Sequence, residues 1–154
     1  MTPRILLWTM QPGQIDSGAI AFLSHGDVTH AGFERANGKV HELSPPDAHD
    51  RDLTDAERPS VHAFRLDGIT DQMASQLERL FDLNIAAGIK YSYFDLLRYE
   101  FNIAQDGDQQ SYCSRYVMHC LALCRCPLPL LRCTQDQVTP WDLWRSTRLI
   151  EEPL

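Results

Sequence analysis

"THAGFERANGKVHEL", residues 29–43, is the stretch whose reading decides the fold. Two half-buried runs flank Asn37-Gly38, the strongest hairpin signal in the chain. The first run opens on His30, with Gly32 leaving room beside it, and the second carries His41 and Glu42. Side chains alternate between faces along a strand, so the register decides which of these residues meet. A two-residue turn pairs 36 with 39 and 34 with 41, which sets His30 on one face with His41 and turns Glu42 away. A three-residue loop, 36–38, with Gly38 left-handed, pairs 35 with 39 and 32 with 42. His30 and Glu42 then lie on one face as diagonal neighbours within hydrogen-bonding reach. We read the second register; in the first, His41 is the better partner.

Working outward, "RILLWTM" (4–10) is an apolar, β-prone run closed by the turn signal "QPG". Asp16 or Ser17 caps a helix over roughly 17–25, stopped by Gly26. Residues 44–59 are polar and proline-bounded and read as a surface loop, and "SVHAFRL" (60–66) reads as a strand. Met73, Leu77, Leu80, Phe81 and Ile85 recur at helical spacing between a Thr70 cap and a Gly88 stop. A shorter helix is predicted over 93–101. A third, capped by Ser111, runs to about 125 before Pro127 and Pro129, and a last one over 139–146 has Thr139 as cap and Pro140 at its first position. There are no internal repeats and no second composition regime. The pattern predicts one domain over 1–154, of α+β class, with a small antiparallel sheet packed against helices.

The third helix carries "YCSRYVMHCLALC", residues 112–124. Cys113 falls in its first turn, where unpaired N–H groups and the positive end of the helix dipole favour an anion, the condition under which a cysteine becomes nucleophilic. The same amides are placed to hold an oxyanion. Cys120 and Cys124 lie one and two turns further on, in line with Val117 and Leu121, and read as small core residues. A nucleophilic cysteine needs a base, and the base an orienter. Of the six histidines, His25, His49 and His119 read as structural or solvated, while His30, with Glu42 or His41 as partner according to the register, is the candidate base. Read as packing alone, the same residues are a core thiol, a strand-end histidine and an edge glutamate.

The chain has 154 residues, 44% hydrophobic and 23% charged, and a net charge of −7 without a Lys/Arg cluster, which argues against a nucleic-acid or anionic-membrane surface. No apolar run approaches the roughly 18 residues of a membrane span, and the N-terminal run lacks the form of a secretory leader. Five cysteines, an odd number clustered late, read as free thiols in a reducing compartment, so the expected location is the cytoplasm. No Walker loop, dinucleotide fingerprint, G-x-S-x-G elbow or H-E-x-x-H helix is present. Neither cofactor nor metal is expected. A zinc module built from His119, Cys120, Cys124, Cys126 and Cys133 has spacings unlike the paired knuckles of structural zinc sites.

Taken in order, "THAGFERANGKVHE", "YSYFDLL", "YCSRYV" and the closing "VTPWDLW" resemble the permuted papain-like cysteine hydrolases, the NlpC-type amidases of the YaeF/YiiX group. The resemblance runs from about residue 15 to 146. "HAG" stands where "HVG" is commoner in that group. The resemblance implies a circularly permuted papain-like (NlpC-type) fold, in which the cysteine helix follows the His and Glu. It implies Cys113 as nucleophile, His30 as general base and acid, and Glu42 as the group fixing the imidazole, with Tyr112, Tyr91 and Tyr93 lining the substrate cleft. The implied activity is hydrolysis of an amide in a small peptide-like or acyl substrate through a thioester. A lipid-directed thiol esterase or acyltransferase on the same fold is the alternative, compatible with the apolar "CPLPLLRC" (126–133). A non-catalytic binding domain that kept the fold is a further one. No nucleic-acid partner and no stable membrane insertion are expected, and nothing in the sequence sets the oligomeric state.

Overall fold

The computed structural model describes residues 2–10, 27–92, 110–126 and 138–154. The helices predicted over 17–25 and 93–101 lie outside the described residues. Among the described residues are eight strands: β1 (Arg4–Thr9), β2 (Val28–Glu34), β3 (Val40–Ser44), β4 (Asp47–Arg51), β5 (Val61–Leu66), β6 (Lys90–Tyr91), β7 (Gln110–Ser111) and β8 (Leu149–Glu152). With them are the helices α1 (Asp71–Ala87), α2 (Cys113–Leu123) and α3 (Pro140–Trp144). The strands form one sheet in the order β7-β6-β4-β3-β2-β1-β5-β8. Its pairs are antiparallel apart from β6 with β7, which is parallel. The class is α+β, as predicted, but the sheet is larger than the small antiparallel one expected.

β1 lies inside the sheet and is buried on both faces, which is why its sequence is a continuous apolar run rather than an alternating one. Ile5 and Leu7 join the larger core cluster, together with Phe33 and Leu43 of the sheet, Leu77 and Phe81 of α1, Val117 and Leu121 of α2, and Leu143 of α3. Leu6 and Trp8 point the other way and pack with Val40, Val61 and Ala63. Each fully buried Leu, Val or Phe contributes about 1.5–3 kcal/mol through removal of apolar surface from water. Cys120 and Cys124 belong to the larger cluster, where burial pushes both thiols up. They pack the core, as their spacing predicted.

The helix ends follow local chemistry. Thr70 Oγ1 accepts from the Met73 N–H at the start of α1, and Gly88, at φ +63°, closes it in the left-handed conformation. Thr139 and Asp142 form a reciprocal capping box at α3 behind Pro140. The predicted cap of α2 needs correction. Ser111 is in β7, paired with Tyr91, so extended backbone continues to the threshold of the helix. Tyr112 takes the N-cap position with no side-chain cap bond, and α2 begins at Cys113 itself.

Residues 44–59, read as a loop, also need correction. Pro45-Pro46 is the turn of a second hairpin, with Ser44 opposite Asp47 and Glu42 opposite His49, and a 3-10 turn follows at Arg58–Ser60. β4 is polar because its side chains are used in pairs. Asp50 accepts from Arg35 Nη1 at 2.6 Å and from His41 Nδ1 at 2.7 Å, and Arg35 also donates to Glu78 and Asp82 of α1 at 2.8 Å each. The fully buried His41 ring stacks on Phe81, and its Nε2 meets the Tyr116 hydroxyl of α2 at 2.8 Å. Burial lowers the His41 pKa, so the neutral ring accepts at Nε2 from the tyrosine O–H, whose oxygen accepts from Asn84 Nδ2 at 2.7 Å. One polar chain thus ties α1, β3, β4 and α2 together. Among the described residues, no helix is long and apolar enough to cross a membrane.

Candidate active site

The first hairpin adopts the three-residue loop. Gly38 is left-handed at φ +81°, its N–H donates to the Arg35 carbonyl at 2.9 Å, and Gly32 pairs with Glu42. His30 and Glu42 are therefore diagonal neighbours on one face, with Nε2 and Oε2 3.0 Å apart. His41, next to Glu42 in the chain, faces the core instead. Gly32 fills the corner between them. A Cβ there would sit 3.1 Å from the His41 carbonyl oxygen and 3.2 Å from the Glu42 Cβ, neither of which moves easily. Gly32→Ala is expected to lower stability by about 1–2 kcal/mol, at the lower end of typical overpacking costs. It should also displace Glu42 from His30; chemical denaturation and the His30 NMR signals read the two effects.

Glu42 is held from several sides. Its side chain is 4% exposed. Arg51 Nε donates to Oε1 at 2.7 Å and Nη2 to Oε2 at 3.3 Å, while Ser44 Oγ donates to Oε1 at 3.1 Å. His49 Nε2 stands 3.6 Å from Oε1. Arg51 is to the β3–β4 pair what His30 is to the β2–β3 pair, a diagonal neighbour of Glu42 on the same face. Sequence reading missed it, because it requires "SPPD" (44–47) to be taken as a hairpin turn. The indole of Trp8 packs on the same side, its ring centre 5.0 Å from that of His30 and 5.9 Å from the Arg51 guanidinium carbon.

Cys113 is buried at the first position of α2. Ser114 Oγ donates to the Val138 carbonyl at 2.7 Å, tying the start of this helix to the segment that leads into α3. Cys113 lies near enough to the His30 ring, whose Nε2 is engaged by Glu42, to act on the charge of that ring. Burial of the His30 ring works against the imidazolium. The charge of Cys113 and the hydrogen bond to it, then those of Glu42, outweigh that penalty and raise the pKa to about 10. Burial likewise works against the Glu42 carboxylate, but His30 and Arg51 hold its pKa well below the usual carboxylate range.

These shifts have a sign in stability. A raised His30 pKa stabilises fully below its unfolded value of 6.5, and that contribution is lost as pH rises through about 10. A lowered Glu42 pKa stabilises above 4.5 and is lost as pH falls through its folded value. The pair's contribution is therefore greatest between pH 4.5 and 6.5. Thermal unfolding of the wild type relative to Glu42→Gln should show its largest difference there and a shrinking one towards pH 10. A difference that stays level from pH 5 to 9 contradicts the pairing.

The tyrosines fare differently. Tyr112 is 1% exposed beside Cys113, Tyr91 of β6 packs against the larger core cluster, and Tyr93 lies outside the described residues. His119 is exposed on α2, and Cys133 is outside the described residues.

No family model and no curated protein matches this sequence. Among solved structures, the chain is similar to one titled "Crystal structure of metalloprotein yiiX from Escherichia coli O157:H7, DUF1105". The TM-score is 0.70 at 14% identity, covering 99% of this chain and 96% of that one. At that identity the likeness establishes a YiiX-like fold. Among the described residues, no group of three or more His, Cys, Asp or Glu side chains is placed to hold a metal ion. Beside Cys113, both Glu42 oxygens are already engaged by the Arg51 cation, which a metal would have to displace. These residues do not fit a metal centre.

Proposed function

We propose that this protein is a cysteine hydrolase that cleaves an amide, or a related acyl bond, in a small peptide-like or acyl substrate, on a circularly permuted papain-like fold of NlpC type. The observation that carries the reading is His30, which meets Glu42 at 3.0 Å through Nε2 and lies near enough to Cys113 for the charge of that thiol to act on the ring. The order of the chain supports the permutation, since the His and Glu strands precede the Cys helix.

In this reading Cys113 Sγ attacks the substrate carbonyl carbon and the carbonyl oxygen takes up the negative charge. The first-turn N–H groups of α2, which have no acceptor within the helix, receive that oxyanion. His30, holding the proton as imidazolium, gives it to the leaving nitrogen or oxygen as the C–N or C–O bond breaks, and a thioester on Cys113 remains. The neutral ring then takes a proton from water as its oxygen attacks the thioester carbon. Collapse expels the Cys113 thiolate, releases the acid and restores the ion pair. Glu42 keeps the ring oriented and stabilises its charge at both stages.

The test is intact-mass spectrometry of protein mixed with a panel of peptide amides and fatty-acyl esters. A transient acyl adduct on Cys113, absent in Cys113→Ala, is expected, and the identity of the released group separates amide from ester substrates. No adduct and no product across the panel counts against the proposal.

A further inference from the structure

Glu42 is one carboxylate between two cations, and the second has no part in the acyl-transfer steps above. Arg51 forks onto Glu42 through Nε at 2.7 Å and Nη2 at 3.3 Å. Its remaining hydrogens go to Glu57, at 2.8 Å from Nη1 and 2.7 Å from Nη2, and to the Asp52 carbonyl, at 3.2 Å from Nη1. Glu57 is fixed in turn by the Thr54 hydroxyl at 2.6 Å and the Thr54 N–H at 3.1 Å. The row therefore reads Cys113, His30, Glu42, Arg51, Glu57, with charges alternating in sign along it when Cys113 is ionised. The Trp8 ring packs against both cations.

We infer that Arg51 is a positioning residue for acyl transfer, fixing the carboxylate of Glu42 and, balanced by Glu57, setting how tightly that carboxylate holds the His30 proton. The inference rests on the hydrolase reading above. Two physical requirements carry it. A carboxylate that orients an imidazole has to stay in one rotamer, and a planar two-point fork from Arg51 restrains it where a point charge would not. The imidazolium must also surrender its proton to a leaving group, and a buried carboxylate with no counter-charge would hold that proton too strongly. Arg51 draws off part of the Glu42 charge, and Glu57 limits how much. The lowered pKa of Glu57, pulled down against burial by Arg51 and Thr54, accords with its being ionised in this row. Among the described residues, the groups facing His30 are Trp8 from β1, Glu42 from β3, Cys113 from α2 and, behind Glu42, Arg51 and His49 from β4.

The test is NMR titration of the His30 imidazole in the full-length wild type, Arg51→Met, Arg51→Lys and Glu57→Gln, with kcat and KM measured in parallel. Removing the cation leaves more negative potential at His30, so Arg51→Met should raise the midpoint by about one pH unit. Removing the Glu57 charge should lower it by a comparable amount. Arg51→Lys keeps the charge and loses the fork, so its midpoint should stay near wild type while kcat falls several-fold at unchanged KM. Opposite shifts in Arg51→Met and Glu57→Gln are the signature, since simple loosening of the site moves both the same way. Shifts of one sign, or none beyond roughly 0.2 unit, overturn the inference. If Arg51→Met does not fold, Glu57→Gln alone decides by whether its midpoint drops. An inert Cys113 in the wild type would instead refute the hydrolase reading. A reactive Cys113 with unmoved midpoints would refute only the role of Arg51.

Discussion

His30→Ala is expected to slow hydrolysis by on the order of 10³-fold, the largest effect on turnover of any single change outside Cys113. In the proposed mechanism the ring has two jobs at one position, partner of the nucleophile and donor to the leaving group, and alanine removes both. The side chain is four-fifths buried, so circular dichroism and thermal unfolding of the variant should accompany the rates to show that the fold survives. Glu42→Gln keeps the shape of its residue and the contact to His30 but removes the charge, and should cost less, about 10²-fold. The two changes act on one unit, so the double variant should be little slower than His30→Ala alone. Steady-state rates with whichever substrate the acyl-adduct screen identifies check this ordering. Equal, fully additive losses would indicate that Glu42 does not act through His30.

The largest effect on stability is expected away from the reacting atoms, in Arg35→Ala. Arg35 is 7% exposed and donates to Asp50, Glu78 and Asp82, and Asp50 also orients the buried His41. Removing the cation leaves Asp50 and Glu78 close together and without their counter-charge, in a region where water reaches them only partly. Breaking a buried pair from one side costs about 3–5 kcal/mol. The Asp82 contact adds little, because that carboxylate is largely exposed. Urea unfolding should show the midpoint falling with the slope unchanged; a loss under about 1 kcal/mol would mean the network contributes no more than a surface pair. Because the chain of contacts runs on through His41 to Tyr116 on the helix that begins at Cys113, Arg35→Ala should also slow turnover modestly.

How much of this was legible in the sequence depends on where each residue finds its partner. The first hairpin was legible because its signals are local: Asn37-Gly38 for the loop, Gly38 for the positive φ, and a spacing of twelve residues that brings His30 onto Glu42 in only one register. α1 was legible for the same reason, having its cap, apolar stripe and glycine stop in one window. β4 was not. Its Asp50 and Arg51 look like loop residues because what makes them strand residues is supplied from Arg35, His41, Glu42 and Glu57. Once β4 was missed, Arg51 could not be placed beside Glu42. β8 was missed as well: "LIEE" (149–152) is short, and its ion pairs come from His62 and Arg65 of β5, far away in the chain. The start of α2 shows a third case, where pairing of β7 with β6 overrides the local preference of Ser111 to cap a helix.

The measurement that bears most directly on the central claim is the rate of Cys113 alkylation between pH 5 and 9 in the wild type and in His30→Ala, followed by peptide mapping. If His30 is paired with Cys113, the wild-type thiol should react well below the pH at which a free thiol becomes nucleophilic, and His30→Ala should remove that advantage. A Cys113 that reacts no faster than a free thiol, at a rate indifferent to the loss of His30, would contradict the account.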